Sequence, residues 1–115
     1  MIEGTFTLTE ERGGGTLHIS SQGDWIETKS TRSGTYDVIS STTEFGSTLV
    51  RVKYDDDDDE RFYTVLKQNK WTGKIYASSW PPVKECPSIV GDEKLTLLGK
   101  SNVGLVSRFT ERFLL

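Results

Sequence analysis

Thr5-Phe6-Thr7-Leu8-Thr9 and Thr16-Leu17-His18-Ile19-Ser20 are two runs in which polar and apolar residues alternate without exception. A period of two sends successive side chains to opposite faces of a pleated strand, so each run has one wall for a core and one for solvent. Between them stands Glu10-Glu11-Arg12-Gly13-Gly14-Gly15, polar and rich in glycine, and the three pieces together predict a β-hairpin.

The same short, β-branched and aromatic pattern recurs at residues 24–29, 35–40, 48–54, 62–68, 74–78, 94–98 and 105–113. The separators are turn chemistry: Arg32-Ser33-Gly34, Phe45-Gly46-Ser47, residues 69–73, and Gly99-Lys100-Ser101-Asn102. No window of about 12 residues carries an apolar stripe at helical spacing. Eight or nine strands in 115 residues predict a single all-β domain over 1–115, folded as a small antiparallel meander. Closing the meander into a barrel of about eight strands removes the edges along which it would aggregate, and a two-sheet β-sandwich is the alternative. Alternation then points Phe6, Leu8, Leu17, Ile19, Tyr36, Val38, Val50, Val52, Phe62 and Leu66 into one interior.

Composition narrows function mainly by exclusion. One Cys leaves no internal disulfide, and one Cys with one His leaves none of the familiar His/Cys zinc sites. No Ser stands in a nucleophile elbow, and Gly13-Gly14-Gly15 lacks the lysine and helix of a phosphate loop. His18 has no carboxylate or serine placed beside it by sequence. The expectation is a protein that is not an enzyme and needs no cofactor. Met1-Ile2-Glu3-Gly4-Thr5-Phe6-Thr7 carries no basic leader and no apolar signal stretch, and no run has the roughly 18 apolar residues of a membrane span. With the single thiol, Cys86, this predicts a soluble cytoplasmic protein.

Charge is divided along the chain. Residues 1–60 hold 13 acids against 5 bases, and residues 61–115 hold 4 acids against 9 bases, although the net charge is only −3. Much of the acidity is one run, Asp55, Asp56, Asp57, Asp58 and Asp59, followed by Glu60. A calcium loop spaces its ligands around a glycine turn, which this run does not, so it reads as a solvated hairpin tip that steers a basic partner. No acid separates Arg61 from Lys84, and Phe62, Tyr63, Trp71, Tyr76 and Trp80 interleave with Lys67, Lys70 and Lys74. That mixture suits a single-stranded nucleic-acid groove over 61–80. Strand alternation offers a second account, with rings in the core and lysines on the surface. The acidic net balance places nucleic acid behind a protein partner.

The three prolines cluster at Pro81, Pro82 and Pro87 within a strandless segment, residues 78–91. Long segments of this kind are often functional. Prolines reduce the entropy lost on docking, and tryptophan is enriched at binding hot spots. Trp80, Pro81, Pro82, Val83 and Lys84 are therefore the candidate partner-binding residues. The alternative is that the segment covers a barrel end with Trp80 and Ile89 buried.

Gly23-Asp24-Trp25 resembles the Gly-x-Trp signature of the calycins, the lipocalin-like barrels, and Arg108 or Arg112 resembles the last-strand arginine that lies across that tryptophan in the family. Asp92-Glu93-Lys94-Leu95-Thr96-Leu97 with Ser107-Arg108-Phe109-Thr110 is similar to the final hairpin of such domains. Within the group, Ser21-x-Gly23-x-Trp25 with Lys29-Ser30, and then Gly46-Ser47-Thr48, Leu95-Thr96-Leu97 and Glu111-Arg112, resemble pieces of the S-type phycobiliprotein lyases in order. The resemblance implies an eight-stranded barrel and a small apolar ligand, an open-chain tetrapyrrole in the lyases. This chain is much shorter than those lyases, and its span from Trp25 to Gly46 has no room for their helical insertion. The first expectation is accordingly a protein-interaction module, an inhibitor or accessory factor, acting through the Trp/Pro segment and the acidic run. A calycin-type carrier stands second and a single-strand binder third.

Overall fold

A computed structural model describes residues 2–89 and 91–101. Eight strands follow in chain order: β1 (Gly4–Leu8), β2 (Thr16–Ile19), β3 (Asp24–Glu27), β4 (Ser33–Ser41), β5 (Thr48–Tyr54), β6 (Asp57–Asn69), β7 (Lys74–Ala77) and β8 (Thr96–Lys100). Short 3₁₀ turns at Glu10–Arg12 and Asp92–Lys94 interrupt the connections β1–β2 and β7–β8. Each strand pairs antiparallel with its chain neighbour, and β1 pairs with β8 through Thr7↔Lys100 and Leu8↔Gly99, which closes the barrel. The closed meander is the predicted fold, and the two-sheet sandwich is excluded.

Closure depends on close backbone approach at the seam. A Cβ on Gly99 would stand 2.6 Å from the Thr7 carbonyl oxygen, so only glycine lets β8 reach β1 there. Register shifts at Val38/Ser40, Val52/Tyr54 and Ile75/Tyr76 add the local twist that a small barrel needs.

The interior is one cluster that includes Phe6, Leu8, Leu17, Ile19, Trp25, Val50, Val52, Leu66, Ile75, Ala77, Trp80 and Leu98, with Tyr36, Tyr54 and Phe62 packed against it. Alternation placed nine of its ten predicted members at this core. Val38 is the exception, at 56% exposure. β3 pairs with β4 only at Ser33, Gly34 and Thr35, and the β4 register slips just after Val38, so that side chain lies where the hairpin has left the wall. Another correction concerns the acidic run. Only Asp55 and Asp56 form the turn, while Asp57, Asp58, Asp59 and Glu60 open the 13-residue strand β6. The ninth predicted strand, 105–113, lies outside the described residues, as do Arg108 and Arg112.

Candidate functional site

The proline segment does not stand away from the barrel. After β7, Ser78 N–H donates to the Val65 carbonyl at 3.0 Å, and Tyr63 and Val83 exchange two backbone bonds of 2.7 and 3.0 Å. Thr64 Oγ1 donates to the Ser79 carbonyl at 2.8 Å. The chain thus continues along the free edge of β6 where β7 ends, as edge donors and acceptors require. Between these attachments Trp80 turns inward to 6% exposure. Its ring meets Trp25 edge to face at 5.6 Å between centroids; Trp25 meets Tyr54 at 5.3 Å, and Tyr54 meets Phe62 at 4.9 Å. This corrects the expectation of an exposed tryptophan anchor: Trp80 caps the interior and Pro82 is buried with it, which was the alternative account. Ile89 is half-buried. Pro81, Val83 and Lys84 remain exposed.

The two segments singled out from sequence are neighbours. Lys84 Nζ lies 2.9 Å from Glu60 Oε1, and the hydrogen bond and charge of Glu60, helped by Asp57, raise the lysine pKa above its usual value. Asp55, Asp56, Asp58 and Asp59 are exposed, Asp57 and Glu60 half-buried. Asp55 Oδ2 accepts from Ser33 Oγ at 2.6 Å, tying the β5–β6 turn to the start of β4. Among the described residues no three His, Cys, Asp or Glu side chains converge as metal ligands.

Beside this turn is a solvent-open cleft of about 210 Å³ lined by Ser30, Thr31, Arg32, Ser33, Tyr54, Asp55 and Asp56. Thr31 holds a left-handed backbone, φ 59°, unusual for a β-branched residue. Arg32 Nη2 stands 2.6 Å from Oε2 of the buried Glu27, but off the direction of a hydrogen bond. Burial is the main reason the Tyr54 pKa lies above the usual phenol value; Glu27 and Asp56 push it the same way and Arg32 opposes them. The cleft offers hydroxyls, carboxylates and the Arg32 guanidinium to a polar ligand. His18 lies on the outer wall, its Nδ1 2.9 Å from Thr5 Oγ1 and its Nε2 3.4 Å from Thr16 Oγ1, in a chain of threonine hydroxyls. Cys86 is an exposed free thiol.

A groove of about 290 Å³ beside β6 and β7 is lined by Lys67, Asn69, Tyr76 and Leu95. The five rings interleaved with lysines separate here. Phe62 and Trp80 join the interior, whereas Tyr63 and Tyr76 are half-buried on the outer wall and Trp71 is 66% exposed in the β6–β7 turn. Val38, Ile39 and Phe45 are all exposed on the β4–β5 hairpin. Their β-strand pattern carried no sign that β4 outruns β3.

Gly23 has φ 96° and Trp25 is buried in the interior. No family model, no curated protein and no solved structure matches this chain. No helix among the described residues is long and apolar enough to cross a membrane.

Proposed function

We propose that this barrel is a non-enzymatic protein-interaction module of the cytoplasm, an inhibitor or accessory factor. It meets a basic partner through the acidic β5–β6 hairpin and the exposed residues of the proline segment. One observation carries the reading: the Tyr63–Val83 backbone pair and the Lys84–Glu60 ion pair hold the two predicted segments side by side as one surface. Asp55, Asp56, Asp58 and Asp59 supply a field that speeds encounter. Pro81 and Val83 supply apolar contact on a backbone already tied to β6, so little conformational entropy is lost on docking. Trp80 contributes by holding this segment in place rather than by touching the partner.

The packing of the interior supports this reading over ligand carriage. Phe6, Leu17, Val50, Val52, Ile75 and Leu98 are each at most 2% exposed, and an eight-stranded barrel is at the size where side chains can fill the lumen.

The test is affinity capture from native lysate with the wild-type chain, with Val83→Asp, and with a variant carrying Asp55→Asn, Asp56→Asn, Asp58→Asn and Asp59→Asn. The expected result is a basic protein held by the wild type, released by moderate salt, and lost from both variants. The same captured proteins in all three experiments would refute the proposal.

A further inference from the structure

We infer that the outer wall of β6, β7 and β8 is a short binding site for single-stranded nucleic acid, with Trp71 and Tyr76 stacking on bases and Lys70, Lys74 and Lys100 holding phosphates. The inference is independent of the interaction surface proposed above and shares no residue with it.

β6, β7 and β8 align Lys67, Tyr76 and Leu97 in one cross-strand row and Asn69, Lys74 and Lys100 in the next, and Thr7 of β1 extends the second row. Lys74 and Lys100 are therefore directly opposed on neighbouring strands, about 5 Å apart in backbone. Like charges placed opposite one another destabilise a sheet. Neither lysine makes an ion pair among the described residues. A phosphate bound between them would turn that repulsion into attraction.

The rings supply the second observation. If alternation alone explained the mixture of aromatics and lysines, the rings would face the core. Tyr76 instead lines the groove beside Lys67, Asn69 and Leu95, and Trp71 stands in solvent at the end of the same wall. The Trp71 backbone is held: Asn69 Oδ1 accepts from the N–H groups of Trp71 and Thr72 at 3.0 and 3.1 Å, which fixes the turn. From Tyr76 to Lys74 is about 7 Å at strand rise, and Trp71 stands beyond Lys74 in the β6–β7 turn, so the two rings flank the opposed lysines. Stacking tolerates any base, because every base has a π-face.

The experiment measures binding of a fluorescent oligothymidylate to the intact protein at low salt, with polyglutamate as the competing polyanion. Trp25 and Trp80 are buried and Trp71 is exposed, so binding should quench mainly Trp71 emission. Three phosphate contacts predict a slope of about −2 in log K against log salt. Trp71→Ala and Tyr76→Ala should each weaken binding about five- to a hundred-fold, and Lys74→Glu with Lys100→Glu should abolish it. Lys100→Glu alone, at an exposed position, should weaken binding while leaving the circular dichroism spectrum unchanged. Absence of binding at low salt would overturn the assignment. So would polyglutamate competing equally while Trp71→Ala binds like the wild type, since the wall would then recognise acidic peptide rather than bases.

Discussion

Trp80→Ala separates a structural cap from a partner-binding anchor. The indole is 6% exposed, and its ring makes an edge-to-face contact with Trp25. Burying about 200 Å² of aromatic surface is worth about 5 kcal/mol at 25 cal/mol per Å², an upper bound because the unfolded chain already hides part of it. Removing a large core aromatic costs about 3–5 kcal/mol once the cavity is included. The loss should stay near that range, because the Tyr63–Val83 backbone bonds restrain the segment from collapsing into the space. Among the described residues the buried indole N–H has no hydrogen-bond partner, so Trp80→Phe removes volume but no hydrogen bond seen there and should cost about 1–2 kcal/mol. Urea unfolding followed by far-UV circular dichroism measures both variants. A loss below about 1 kcal/mol for Trp80→Ala would refute the cap, since that is the range of an exposed side chain.

Three further outcomes follow from the same end of the barrel. Gly34→Ala should cost about 1–3 kcal/mol in urea unfolding, because a Cβ there collides with the Lys53 carbonyl and crowds the Trp25 ring nitrogen. Glu27→Gln leaves the Arg32 guanidinium without its carboxylate; since Glu27 is buried and Arg32 about a third exposed, the loss should fall between surface and buried pairs, at about 1–3 kcal/mol. Tyr54 is held above the usual phenol pKa, chiefly by burial. Its contribution to stability is therefore complete below about pH 10, where the unfolded phenol titrates, and is lost as pH rises through the higher folded value. Urea midpoints for the wild type should fall above that pH, and Tyr54→Phe should fall less steeply; identical curves would remove Tyr54 from the alkaline transition.

Much of the fold was legible because strand sidedness is a local property. Thr5-Phe6-Thr7-Leu8 declares its inner and outer faces without reference to any other strand, and eight predicted runs became eight strands. The candidate surface was legible in part. Asp55, Asp56, Asp58 and Asp59 are exposed as expected, since carboxylates keep their hydration, and the prolines do mark the segment that cannot form a central strand. Trp80 faces inward, opposite to the sequence expectation. An indole among prolines has the same local chemistry whether it faces a partner or a barrel interior, and the attachments of Ser78, Ser79 and Val83 to β6 set its direction.

The amino-acid sequence by itself thus determined the strand set, the hairpin order and most of the inner wall, because each depends on neighbours in the chain. Tertiary structure alone decided the closure of β8 on β1 at Gly99, the capping of the interior by Trp80, and the exposure of Val38 where β4 outruns β3. It also brought the acidic strand beside Val83 and Lys84, and set Lys74 against Lys100 next to Tyr76. These are contacts between residues distant in sequence. Their geometry follows from the register and curvature of the closed sheet, which no single strand encodes.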